Sequence, residues 1–158
     1  MGTEIERKFL VHGTRWRDLA AGVLYRQGYI STAPERTVRV RIAGDQGYLT
    51  IKGKTQGIAR SEFEYAIPVE DAAQMLDTLC DRPLIEKYRH KISLNDLIWE
   101  VDEFLGDNQG LVIAEVELHD ENQAIDLPDW VGEEVSGDLR YYNASLAKHP
   151  FQRWTQDA

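Results

Sequence analysis

Like charges two residues apart recur along this chain. Glu4 and Glu6, Glu62 and Glu64, Glu100 and Asp102, and Glu115 and Glu117 form carboxylate pairs, while Arg39 and Arg41, Lys52 and Lys54, and Lys87 and Arg89 form basic pairs. Oxygen-only carboxylate sets suit hard divalent cations. Guanidinium and ammonium groups suit anions, the guanidinium fork matching phosphate oxygens in pairs. Two like charges at i and i+2 on one strand face repel unless something of opposite charge lies between them. The doublets therefore imply two kinds of ligand, metal cations and a polyanion.

The elements that must position these residues alternate with period two, the strand signature. Eight such runs lie near residues 3–11, 24–32, 37–43, 48–54, 60–68, 84–93, 97–104 and 112–119. Side chains at i, i+2 and i+4 share a face, so Glu4, Glu6 and Lys8 lie together, as do Lys87, Arg89 and Lys91, with Ile5 and Phe9 or Tyr88, His90 and Ile92 opposite. Gly44-Asp45-Gln46-Gly47, Asn95-Asp96 and Gly106–Gly110 supply turn chemistry between runs, and such short connections join antiparallel neighbours. Helical spacing is confined to 15–21 after a Thr14 cap, to 70–81 with Glu70 and Asp71 in its first turn, and to 143–148 before Pro150. A half-buried sheet with a solvated charged face is the simplest architecture for any one strand. Eight strands also suffice to close a barrel that holds one small ligand, and a barrel with its charged faces inward explains the doublets better. The expected fold class is α+β: an eight-stranded antiparallel barrel with a charged lumen and a few covering helices, one domain over 1–158.

Composition bounds the alternatives. The chain has 158 residues, 42% hydrophobic and 28% charged, which suits a globular protein with its own core. A formal charge of −9 argues against a nucleic-acid-coating surface. The single cysteine, Cys80, excludes an internal disulfide and a cysteine-based zinc cage, and reads as a small core residue near a helix end. No segment approaches the ~20 apolar residues of a membrane span, and the acidic start lacks a secretory apolar run. The sequence around Gly2 does not fit an acylation signal. The expected location is the cytoplasm, with a homodimer compatible but unsupported by any strong interface signal.

Glu4-Ile5-Glu6-Arg7-Lys8-Phe9 resembles the Glu-x-Glu-x-Lys signature of the CYTH superfamily, the triphosphate tunnel metalloenzymes. Arg39-Val40-Arg41, Lys52-Gly53, Arg60-Ser61-Glu62-Phe63-Glu64, Glu86-Lys87-Tyr88-Arg89, Trp99-Glu100-Val101-Asp102 and Ala114-Glu115-Val116-Glu117-Leu118 follow in the family's order. Tyr142–Ala147 resembles the closing segment of short bacterial members, so the likeness covers nearly the whole chain. The resemblance implies a tunnel that binds triphosphates with divalent metal. Lys8, Arg39, Arg41, Lys52, Lys87 and Arg89 would bind the triphosphate. Glu4, Glu6, Glu62, Glu64, Asp102, Glu115 and Glu117 would hold one or two Mg²⁺ ions, with Mn²⁺ an alternative. The four histidines lack zinc-like spacing and are expected to be structural or exposed.

The implied reaction is metal-dependent hydrolysis of a triphosphate, with inorganic tripolyphosphate as the leading substrate. Tyr29, on the face of Tyr25 and Gln27, is the candidate base, with Lys52 as its cationic partner and Lys148 as a weaker alternative. Thiamine triphosphate hydrolysis and cyclase chemistry on ATP are the alternatives within the superfamily. A base-recognition site would need an aromatic shelf beside the tunnel, and nothing in the sequence places Trp16, Trp130 or Trp154 there. A polyphosphate- or nucleotide-binding module without turnover could dispense with several carboxylates. An apolar-ligand carrier conflicts with the charge parity. The lumen set holds six bases and seven acids, so one or two divalent cations would turn it positive and favour a triphosphate.

Overall fold

Among the described residues, nine β-strands and two short α-helices form the fold: β1 (Gly2–Val11), β2 (Gly22–Ser31), β3 (Arg36–Ala43), β4 (Gln46–Gly53), β5 (Ala59–Ile67), α1 (Val69–Thr78), β6 (Ile85–Leu94), β7 (Leu97–Phe104), β8 (Val112–Glu117), β9 (Val131–Glu134) and α2 (Asn143–Lys148). This computed structural model describes residues 2–154; Met1 and residues 155–158, which the single-domain expectation also took in, lie outside the described residues. All pairings are antiparallel, in the order β5-β4-β3-β2-β6-β7-β8-β1, and β1 also pairs with β5, so eight strands close a ring. No helix among the described residues is long and apolar enough to cross a membrane.

Tight turns set the register as the sequence indicates. Asn95 and Asp96 take φ of +51° and +63° between Leu94 and Leu97, the two positive angles a type I′ hairpin turn needs. Gly44 takes φ +62° in the two-residue turn between β3 and β4, a geometry glycine adopts without a Cβ clash.

Outward side chains form a core on one side of the ring. Phe9, Ile92, Trp99, Val101 and Val116 pack with Trp16 and Trp130, and Trp99 lies 5.7 Å from Phe9 and 5.8 Å from Trp130 between ring centroids. On the β3–β4 side, α1 buries Ala72 and Leu76 against Val40. A Cβ on Gly28 would meet Leu84 at 2.7 Å and Cys80 at 2.8 Å, so glycine permits the segment after α1 to lie on β2. Elsewhere the cover stops: Ile51, Phe63 and Tyr65 stay exposed on the outside of β4 and β5.

A second core lies inside the ring. Tyr29, Ile85, Phe104 and Ile113 are buried with Val135, Tyr141, Leu146 and Ala147. Ile85, Phe104 and Ile113 share strand parity with charged inward residues, and Tyr29 with Tyr25 and Gln27, so the segment ending in α2 plugs one end of the barrel and the lumen is blind there. Two residues further along each strand the inward positions become charged: Lys8 after Leu10, Glu115 after Ile113, Asp102 after Phe104 and Lys87 after Ile85.

Three elements differ from expectation. The helix expected over 15–21 is a single 3-10 turn over Arg15–Asp18, where Thr14 makes no side-chain cap and Trp16 is the one buried residue. The helix expected over 70–81 spans Val69–Thr78, and the Asp81 N–H donates to the Tyr29 carbonyl at 2.9 Å, drawing the chain onto β2. The ninth strand, β9, lacks alternation and pairs with β1 at Phe9 and Val11.

Candidate active site

The charged half of the lumen is a cavity of about 320 Å³. Its walls carry Glu4, Glu6 and Lys8 from β1, Arg39 and Arg41 from β3, Lys52 from β4, Glu62 and Glu64 from β5, Arg89 from β6, and Glu115 and Glu117 from β8. Tyr29 of β2 also lines it. Twelve of the fourteen sequence-expected site residues thus meet in one place, because they occupy inward positions of neighbouring strands.

The structure corrects the placement of the other two. Lys87 is wholly buried and Asp102 is 1% exposed, and both lie behind the cavity wall. Asp102 accepts from Arg89 Nε and Nη2 at 2.8 Å each and faces Lys87 Nζ at 2.7 Å. Burial alone would raise its pKa, but Arg89 and Lys87 outweigh burial and hold it down to about 2. As placed, Asp102 is engaged by two cations out of solvent and anchors the bases. Lys87 is pushed down to about 7 by burial, with Arg89 and Arg41 adding to the effect and Asp102 opposing it.

The basic wall is short of partners. Arg39 donates from Nη2 to Thr50 Oγ1 at 3.2 Å and lies 3.7 Å from Glu64, while its buried Nε has no hydrogen-bond partner. Arg41 Nε donates to Gln27 Oε1 at 2.8 Å, and burial followed by repulsion from Arg39 and Arg89 lowers its pKa to about 9. Arg41 and Arg89 lie 4.8 and 4.9 Å from the Tyr25 ring centroid. Three guanidiniums confined this way, one with an unsatisfied buried donor, attract an anion.

The acidic wall has the opposite imbalance. Glu6 stands opposite Glu117, and Glu100 opposite Glu115, in direct register. Burial, then Glu115 and Glu4, lift Glu6 to about 8 against the pull of Lys8. Lys8 Nζ lies 3.0 Å from Glu115 and 3.7 Å from Glu6, and Lys52 Nζ 2.9 Å from Glu4 and 3.7 Å from Glu62. Each ammonium sits between two carboxylates, where positive charge is wanted. Among the described residues no three His, Cys, Asp or Glu side chains form a ready metal cage. The donor set still fits a hard cation, being carboxylate only and locally in excess. Six of the seven expected ligands line the cavity: Glu4, Glu6, Glu62, Glu64, Glu115 and Glu117.

Tyr29 and Lys52 line the same cavity without touching each other. β3 separates their strands, Lys52 is engaged by Glu4 and Glu62, and no hydrogen bond joins it to Tyr29 among the described residues. Tyr29 is 3% exposed, faces Arg39 in register and lies 3.5 Å from Gln27 Nε2. Lys148 is exposed at the end of α2, off the cavity wall.

The cavity also holds residues outside the expected set. Glu100, Lys91 and Arg60 line it, bringing the wall to seven acids and seven bases; all three share strand parity with expected residues, the signal that would have found them. Tyr142, Ser136 and Asn143 line it from the C-terminal segment, which has no periodicity to reveal them. The Tyr142 ring lies 5.1 Å from Lys8 Nζ and 6.0 Å from the Arg60 guanidinium. Trp16 and Trp130 are buried in the outer core, and Trp154 packs on Tyr141 and Phe151, so no tryptophan forms a shelf at the cavity. No histidine lines the cavity.

Known proteins share this architecture. The CYTH domain matches residues 2–151. An inorganic triphosphatase of Acetivibrio thermocellus is 54% identical over 156 residues, covering 99% of this chain and 100% of that protein. An inorganic triphosphatase of Nitrosomonas europaea is 39% identical over 149 residues, covering 92% and 97%. A solved inorganic triphosphatase structure superposes with a TM-score of 0.65 at 36% identity, covering 90% of this chain and 96% of that one.

Proposed function

The chain belongs to the CYTH domain family, and on that footing we propose that its cavity hydrolyses inorganic tripolyphosphate to pyrophosphate and phosphate. The observation that carries this reading is the blind cavity itself, with three guanidiniums on one wall, the buried Arg39 Nε without a partner, and its carboxylates in like-charge pairs. A volume of about 320 Å³ is at the small end for ligand pockets. The ring faces of Tyr25 and Tyr142 are engaged by cationic side chains and Tyr29 is buried, which leaves Tyr48 as the one part-exposed aromatic ring on the wall without a cation over it among the described residues. That favours a bare triphosphate over a nucleotide or thiamine ester.

The chain's own residues account for binding and orientation. Arg39, Arg41 and Arg89 hold the terminal phosphoryl oxygens, and their charge stabilises the electrons gathered there as the anhydride breaks. Lys8 and Lys52 take the remaining phosphate oxygens, and Lys87 acts from behind through Asp102 and Arg89. The Tyr29 oxygen, beside the arginines, holds the attacking water and, as phenolate, accepts its proton as the new P–O bond forms, while pyrophosphate leaves with the bridging oxygen. Glu4, Glu6, Glu62, Glu64, Glu115 and Glu117 would hold Mg²⁺ or Mn²⁺, which when bound supplies charge neutralisation of the phosphate chain.

The test is phosphate release from tripolyphosphate, ATP, thiamine triphosphate and pyrophosphate, each with and without Mg²⁺. Fastest metal-dependent release from tripolyphosphate is expected. Release from none of the four removes the hydrolase reading, and cyclic AMP from ATP replaces it with cyclase chemistry.

A further inference from the structure

The basic wall of the cavity is built in two arms, joined by no direct hydrogen bond or ion pair among the described residues. In one, Gln27 Oε1 accepts from Arg41 Nε at 2.8 Å. In the other, Lys87 and Arg89 converge on Asp102, at 2.7 Å and at 2.8 Å twice. Asn143 joins them. Its Oδ1 accepts from Lys87 Nζ at 2.9 Å and from Gln27 Nε2 at 3.3 Å. The lysine can only donate, which fixes which end of the amide faces it. Asn143 opens α2, whose Leu146 and Ala147 are buried in the apolar plug, so the plug presents one polar tip to the cationic floor.

We propose that Asn143 is a positioning residue for anion binding: it couples the Arg41 arm to the Arg89 arm, so that both guanidiniums stand at a fixed separation on either arm of Tyr25. Arg41 and Arg89 repel each other, and Tyr25 offers a π-face without fixing a hydrogen-bond direction. The directional bonds that hold each guanidinium run through Gln27 and through Asp102, and Asn143 Oδ1 is the acceptor common to both routes. Removing it leaves Lys87 held by Asp102 and leaves the Gln27 amide nitrogen with a long 3.5 Å contact to the Tyr29 hydroxyl. The arginines then present a variable spacing, and anion binding weakens. The inference rests on reading the cavity as a triphosphate site, and it assigns the C-terminal segment a part in binding rather than in closure alone.

The experiment measures tripolyphosphate binding in EDTA by calorimetry, alongside thermal melting, for the wild type, Asn143→Leu, Gln27→Leu and the double variant. Asn143→Leu is expected to weaken binding roughly tenfold or more and to lower the melting temperature by several degrees, the scale of a buried charged donor losing an acceptor. Gln27→Leu should weaken it as well, and the double variant should lose no more than the worse single variant, since both act on one route. Wild-type binding by Asn143→Leu, or losses that multiply in the double variant, would overturn the inference while leaving the triphosphate reading intact. A wild type that binds no tripolyphosphate, with or without Mg²⁺, defeats that reading and the inference with it. Should Asn143→Leu fail to fold, Asn143→Ser carries the same expectations, because its hydroxyl is too short to reach Lys87.

Discussion

Replacing Asp102 by Asn separates its two possible roles, metal ligand and buried anchor. The side chain is 1% exposed and accepts three close contacts from two cations. Its carboxyl is held at about 2, against 3.8 for the free group. That difference alone corresponds to about 2–3 kcal/mol favouring the charged form. Asn keeps one acceptor for Arg89 but turns an NH₂ toward a neighbouring donor and leaves two buried cations short of a counter-charge. Breaking a buried pair from one side costs about 3–5 kcal/mol. For a domain of this size each kcal/mol lowers the melting temperature by ~2–4 °C. The metal-free variant should therefore melt roughly 6–20 °C below wild type by circular dichroism at neutral pH. Its affinity for Mn²⁺, titrated by electron paramagnetic resonance, should stay within about twofold of wild type, because the carboxylate lies behind the cavity wall. A melting shift under about 2 °C combined with a tenfold loss of Mn²⁺ affinity would refute the anchor and restore Asp102 to the ligand set.

Glu6 gives the metal-free protein a pH dependence. Its carboxyl is raised from 4.5 to about 8 in the fold, so its contribution to stability is complete below pH 4.5 and disappears as pH rises through 8, on the order of a few kcal/mol in total. Lys87, lowered to about 7, acts in the opposite sense above that pH, so the informative curve is the difference in melting temperature between wild type and Glu6→Gln. That difference should favour the variant increasingly from pH 5 to 9, and a flat difference would contradict the assignment. Tyr29→Phe should lower kcat for tripolyphosphate by about 10² or more, the low end for a lost general base, with stability little changed. Turnover close to wild type in a folded protein would remove Tyr29 from the chemistry.

Strand faces were legible in the sequence because period-two alternation is a local property. Glu4, Glu6 and Lys8 line one wall for the same reason that Ile5 and Phe9 do not. Depth along the barrel was not legible. Parity places Lys87, Arg89 and Lys91 on one face, but strand tilt and the α2 plug decide that Lys87 lies behind the wall while Lys91 lines it. Pairing across the barrel was equally hidden. Tyr29 and Lys52 share an inward orientation, yet β3 stands between their strands, and Lys52 finds Glu4 of β1 around the closed side of the ring instead. Asn143 was legible as part of a closing helical segment but not as a residue of the site. It reaches the site because the chain after β9 turns back into the barrel, a route fixed by burial of Tyr141 and Leu146 rather than by any repeat.

The net charge of −9 describes the molecule's outside better than its cavity. The wall carries seven acids and seven bases, so the excess negative charge belongs to the rest of the chain, where it disfavours nucleic acid and aids solubility. Balance within the wall does not mean that opposite charges are everywhere paired. Glu6 faces Glu117 while Arg39, Arg41 and Arg89 crowd the other side, and the lysines between them are the provisional counter-ions. A triphosphate alone would drive the cavity strongly negative, and divalent cations alone would drive it strongly positive. Together they restore neutrality, releasing Lys8 and Lys52 from the carboxylates to meet phosphate oxygens. On the proposed reading each ligand therefore tightens the other by the same factor, and the like-charge pairs that cost stability in the empty barrel are what make the cavity demand both.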